Sequence, residues 1–215
     1  MKKKSLALAA IAVLMVGSLA TAFTLAYFTD TADATNTFTV GNVDISLAEP
    51  AWTDGENPGN EMTANPGVAI PKDPTVTNDG DNAAYVRVKV TLDNANAFIA
   101  AANKYHITNL ATIFAGHDES KWDRAAIIQP TATSDTLTYV YNYEGPLAPD
   151  ASTGPIFTSF TLPSQFGNAD VGATFNIKVV AEAIQVESFA DAAAAFTALD
   201  AELAPVPAPV PVPVP

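Results

Sequence analysis

Few side chains in this 215-residue chain are of types that do chemistry, and their spacing narrows them further. Cysteine is absent, which removes disulfides, thiolate zinc sites and cysteine nucleophiles. The two histidines, His106 and His117, do not form a His-Glu-x-x-His helix. That motif sets two imidazoles one turn apart to grip zinc beside a glutamate base. His117-Asp118-Glu119 has ligand chemistry, but a polar run of this kind reads first as a solvated loop. Asp79-Gly80-Asp81-Asn82 looks like part of a calcium loop, without the later ligands and distal glutamate such a loop needs. Asp79 and Asp81 are therefore a weak calcium candidate, and ordinary turn chemistry explains the same residues. No nucleophile elbow is present. No catalytic residue is assigned and, that calcium pair aside, no cofactor or metal is expected.

Composition bounds the partners. Ten basic against 23 acidic residues give a net charge of −13, which argues against nucleic acid, since phosphate contacts need a basic face. The apolar fraction of 48% excludes a disordered chain. What remains has the length for one domain with a real core.

The head of the chain has the grammar of an export signal. Lys2-Lys3-Lys4 form a basic region, Leu6 to Val16 an apolar one, and small residues follow Gly17-Ser18. The uncharged stretch Ser5 to Thr29 is 25 residues, long enough to span a bilayer, so an uncleaved anchor is the alternative. Small-residue sites at Ala20-Thr21-Ala22 and Thr24-Leu25-Ala26 favour cleavage. Loss of the three lysines leaves seven basic against 23 acidic side chains, a net of −16. Such a charge keeps copies apart until a specific contact forms. The expected organisation is a signal over 1–26, an N-terminal segment over 27–36, a β-domain over 37–203 and a Pro-Val tail over 204–215. Alternate prolines make that tail an extended polyproline rod, about 3.1 Å per residue.

The body reads as strands. Thr37 to Leu47 alternates around Gly41 and predicts one strand with a kink. Glu49 to Gly67 is a loop in which Trp52 plugs the core, and Ile70 to Asn78 is an edge strand broken by two prolines. Tyr85 to Leu92 is the clearest strand: Val86, Val88, Val90 and Leu92 share one face. Tyr85, Arg87, Lys89 and Thr91 share the other, expected to be solvated or an interface. A helix follows, capped by Asp93 or Asn94, with Phe98, Ala101, Ala102 and Tyr105 on one stripe. Ile107 to Ala115 fits helix or strand. Further strands are expected at Thr136–Tyr143 and Ile156–Leu162, with Gly145 to Pro155 a loop. Phe175 to Glu187 is expected to be the longest strand, central because its apolar residues fall on both parities. Ser188 then caps a last helix with Phe189, Ala193, Phe196 and Leu203 on one side.

Three segments carry a resemblance. They are Tyr27-Phe28-Thr29-Asp30 with Asn36 to Ile45, Ile70 to Asn78 running into Ala84 to Val90, and Tyr141 to Pro149. Together they resemble the TasA/CalY (camelysin) family of exported proteins. The resemblance implies a jelly-roll-like antiparallel β-sandwich, here with one or two peripheral helices. It also implies processing by a SipW-type signal peptidase between Ala26 and Tyr27. The role implied is that of a secreted structural subunit of biofilm-matrix fibres, with the membrane a partner only before cleavage.

Assembly has its own physics. A sandwich with an unpaired edge presents backbone donors and acceptors that a neighbour's strand can satisfy. Tyr27, Phe28, Thr29, Asp30, Thr31, Ala32, Asp33 and Ala34 form a short segment free of Pro and Gly, upstream of the first body strand. They are the candidate donor strand, expected to leave one copy incomplete until it pairs with the next. A head-to-tail contact of that kind gives an open homopolymer. A floppy leader is the alternative for these residues. Competing functions are a camelysin-type surface metalloprotease, a monomeric adhesion module and an accessory fibre subunit.

Overall fold

A computed structural model of the chain describes residues 29–33, 36–38, 43–52, 64–172 and 174–203, the first two stretches in their backbone. The expected signal, Ala26, Tyr27, Phe28, Ala34 and the Pro-Val tail lie outside those residues. In chain order the first strands are β1 (Thr29–Asp33), β2 (Asn36–Phe38), β3 (Ile45–Ala48), β4 (Ala69–Pro71), β5 (Thr75–Asn78) and β6 (Ala84–Asp93). After helix α1 (Ala95–Lys104) come β7 (Phe114–Ala115), β8 (Trp122–Ile128), β9 (Thr136–Tyr143), β10 (Ser152–Pro155) and β11 (Ser159–Thr161). The short helix α2 (Asn168–Val171), β12 (Ile177–Gln185) and helix α3 (Ala192–Leu203) follow.

Alternation builds the centre. β6 sits between β12 and β9, antiparallel to both, with Val88 opposite Ala181 on one side and Tyr141 on the other. The large sheet runs β2–β1–β12–β6–β9–β8. Among the described residues the remaining strands form two three-stranded sheets, β10–β5–β3 and β4–β11–β7. One core joins Val86, Val88, Val90 and Leu92 of the large sheet to Ile45 and Val76 of the second and Ile70, Phe114 and Phe160 of the third. The fold is thus mainly β, with the large sheet packed on the two small ones. Helix α1 plugs one end: its expected stripe holds, with Phe98 fully buried and edge-on to Phe175 at 5.1 Å.

Several expectations are corrected. The kinked strand Thr37–Leu47 is two strands in two sheets, β2 and β3. The broken edge strand Ile70–Asn78 is likewise two: proline offers no N–H at Pro74, so β4 ends before it and β5, a central strand, begins after. Trp52 is half-buried against the core as expected, with the Lys72 ammonium 4.5 Å from its ring centre. β12 is central but, at nine residues, shorter than the ten of β6. Asp93 holds Asn176 through two 2.6 Å bonds before its start, and Val186–Ser188 tighten into a 3₁₀ turn after it. Ser152–Pro155, expected in a loop, forms β10, while the strand expected at Ile156–Leu162 shrinks to β11. Strand β8 was not expected, because a register break between Arg124 and Ala126 destroys its period-two pattern.

Both helix starts differ from the sequence reading in mechanism. Asn94 occupies the cap position of α1 at φ 52° without a capping side-chain bond. Asp135 supplies the cap from another loop, its Oδ1 accepting from Asn96 N at 2.8 Å. Helix α3 starts at Ala192, later than a cap at Ser188 predicts, and Asp191 caps it, its Oδ1 accepting from Ala194 N at 2.8 Å. The shift rotates the buried stripe to Ala195, Phe196 and Leu199, leaving Ala193 and Leu203 exposed.

Candidate functional site

The residues to follow are those of the N-terminal segment, and β12 positions them. Thr29, Asp30, Thr31, Ala32 and Asp33 form β1 and lie antiparallel along β12, opposite Ile184, Ala183, Glu182, Ala181 and Val180 in that order. The expectation of an edge left open within a single copy is corrected: the chain's own N-terminal strand fills it. The physical reason is the one that motivated the expectation, since β12 without β1 would expose a row of unpaired N–H and C=O groups. On its other side β1 pairs antiparallel with β2, with Asp33 opposite Asn36.

β12 is made rigid on both faces. Ala181 and Ala183 are fully buried opposite Val88 and Val86 of β6. On the other face Glu182 sits 5% exposed in a charged cluster that sequence reading did not anticipate. Arg87 Nε donates to Glu182 Oε2 at 2.6 Å, and Lys89 Nζ donates to Oε1 at 2.7 Å. Asp200 of α3 accepts both terminal nitrogens of Arg87, at 2.7 and 2.6 Å, a bidentate clasp between helix and sheet. The guanidinium also lies 4.5 Å from the Phe196 ring. Burial opposes the Arg87 charge, but the Asp200 and Glu182 bonds and charges outweigh it and hold its pKa above the ordinary value. The Asp200 carboxyl is held below the usual aspartate range by its bond to Arg87, against a smaller opposing effect of burial.

The face of β6 expected to be solvated is therefore covered. Tyr85, Ile184, Ala195, Phe196 and Leu199 form a second apolar cluster beneath α3. A signal for it was legible: Arg87 and Lys89 on a strand, with Glu182 and Asp200 late in the chain, are complementary. Their pairing depended on a register that only the fold sets.

The candidate ligands are not brought together. Asp79 and Asp81 are both exposed, and the turn is organised by buried Asn78 instead. Asn78 Nδ2 donates to Asn82 O and Leu147 O, both at 2.9 Å, and its Oδ1 accepts from Gly80 N at 3.0 Å. His106 is exposed in a left-handed turn after α1. The His117 ring packs 4.9 Å from Tyr141 with Nδ1 at 3.1 Å from Ile156 O. Asp118 is occupied by the backbone and hydroxyl of Ser120. Among the described residues no three His, Asp or Glu side chains are grouped as a metal would require. No helix among them is long and apolar enough to cross a membrane.

Residues 1–103 match the model of a family described as camelysin metallo-endopeptidase. The match takes in the first two of the three resembling segments and supports the TasA/CalY family; Tyr141 to Pro149 lies beyond it. No curated protein and no solved structure matches the chain. The metal in that family description does not fit the donors present among the described residues. His106 and His117 stand in separate environments, and among the described residues neither joins a group of three such side chains placed to hold a metal; Asp118, next to His117, is engaged by Ser120 instead. No metal-dependent step is assigned to them.

Proposed function

From the premise that residues 1–103 carry the pattern of the camelysin (TasA/CalY) family, we propose that this chain is an exported structural subunit that polymerises into extracellular fibres. Polymerisation exchanges one strand. β1 of one copy leaves its own β12 and takes the same place on the β12 of the next. The observation that supports this reading is the register of Thr29–Asp33 along Val180–Ile184. It joins the two ends of the sequence through backbone pairing, and backbone pairing is indifferent to which copy supplies the strand. While a signal holds the N-terminus at the membrane, exchange is prevented, so cleavage between Ala26 and Tyr27 starts assembly. A net charge of −16 keeps processed copies apart except through the exchanged strand.

The test is deletion of 27–34 from the processed chain followed by electron microscopy. The reading expects fibres from the parent and none from the deletion. Unchanged fibres refute it. The family description favours a second reading, a surface peptidase. Chelator-sensitive casein hydrolysis by the purified chain supplied with zinc would establish that reading against the donor geometry above.

A further inference from the structure

Directly opposed residues of an antiparallel pair stand on the same face of a sheet. The register of β1 on β12 therefore sorts the two acids of β1. Asp33, opposite Val180, falls on the face that carries every charged residue of β6 and β12: Arg87, Lys89, Asp93, Lys178 and Glu182. Asp30, opposite Ala183, falls on the other face. Ala183 and its neighbour there, Ala181, are fully buried in the main core opposite Val86 and Val88. β3, whose Ile45 belongs to the same core, packs against both β1 and β12.

An acid at a core-side position is the unfavourable member of this strand. Moving a carboxylate from water toward an apolar core costs free energy unless a cation meets it. Neither β6 nor β12 brings one to that face, since their basic residues all have the opposite parity. Each seating of β1 carries the position of Asp30 from solvent to the core side, and each departure relieves it. β-Proteins use inward-pointing charges of this kind to limit pairing near the margins of their sheets. The next residue on the same face, Ala32 opposite Ala181, has no such effect.

We propose that Asp30 is the release residue of β1, the one that sets how readily this strand leaves β12. Backbone pairing over five residues holds the strand, and the core-side acid opposes that hold. Release is a property of a single copy. Its consequence for assembly rests on the strand exchange proposed above: a strand that leaves its own β12 more often is more often free to seat on another. Alanine at this position keeps the backbone bonds and removes the opposing charge, so the open form becomes about tenfold rarer.

The test is amide hydrogen exchange over 29–38, read by mass spectrometry on the chain beginning at Tyr27, at a concentration where it is monomeric. Asp30→Ala is expected to slow exchange of this segment about tenfold, because exchange follows the population of the open form. Asp33→Ala removes an equal charge from the opposite face and is expected not to slow it. Unchanged or faster exchange in Asp30→Ala, or equal slowing in both variants, overturns the proposal. Fibre formation is then compared at higher concentration, where Asp30→Ala is expected to lag behind the parent. The two readings fail separately. Slower hydrogen exchange with fibres forming at the parent's rate supports Asp30 as the release residue and refutes strand exchange. Fibres lost on deletion of 27–34, with hydrogen exchange unmoved by Asp30→Ala, refute the role of Asp30 and leave strand exchange standing.

Discussion

A covalent lock between β1 and β12 separates strand exchange from strand retention. Asp33 and Val180 are direct partners in the antiparallel register, and Val180 is half-buried, so a bond there stays open to reductant. Antiparallel partners have Cα atoms about 4.5–5.5 Å apart, inside the range a disulfide spans. Asp33→Cys with Val180→Cys therefore closes a single bridge in a chain without other thiols. The loop it closes is about 150 residues, for which chain entropy gives a ceiling of about 5 kcal/mol of added stability. At this size that ceiling corresponds to a rise in Tm of roughly 10–20 °C. The exchange itself starts from a costly step. Five paired residues at about 1 kcal/mol per hydrogen bond place the open form near one molecule in 5,000. Oxidation of the monomer removes that form, and fibres should be absent until reductant is added. Oxidation after assembly should instead give a ladder of covalent multimers on a non-reducing gel. Fibres from the oxidised monomer, or only monomers from oxidised fibres, would refute the exchange argument.

The other predictions concern what supports that site. Asp200→Asn weakens the clasp on Arg87 and should lower stability at neutral pH by about 1 kcal/mol, since the carboxylate is half exposed. The folded Asp200 pKa lies below the unfolded value near 4. Its contribution is therefore complete above that value and lost as pH falls through the folded pKa. Thermal melts should show the gap between parent and variant shrinking below about pH 4. Asn78→Ala strands three hydrogen-bond partners and should cost about 2–3 kcal/mol by urea denaturation. Asp79→Asn with Asp81→Asn should change stability by less than about 0.5 kcal/mol, with or without calcium. Phe98→Ala empties the packing against Phe166 and Phe175 and should cost about 3–5 kcal/mol in the same assay.

Much of this molecule was legible as sequence because alternation is a local signal. Tyr85 to Leu92 and Thr136 to Tyr143 announce strands from their own residues, and Phe98, Ala101 and Ala102 announce a helical face. Histidine spacing and the lack of cysteine likewise bounded the chemistry before any fold was known. The N-terminal segment was legible as a strand, but its partner was not. Which edge takes Thr29–Asp33 depends on β12, about 150 residues away, and strand pairing leaves no mark in either sequence alone. The same limit hid the cover over Arg87. A charged residue on an alternating strand reads as solvated until a helix brings Asp200 and Phe196 down upon it. β8 was missed because one extra residue shifts the parity of everything after it. Composition and periodicity thus determined that the chain folds as a cysteine-free, acidic β-protein. Only the tertiary structure decided which edges are filled and which stay open, because backbone hydrogen bonds have no side-chain signature and are assigned by the packing of the whole.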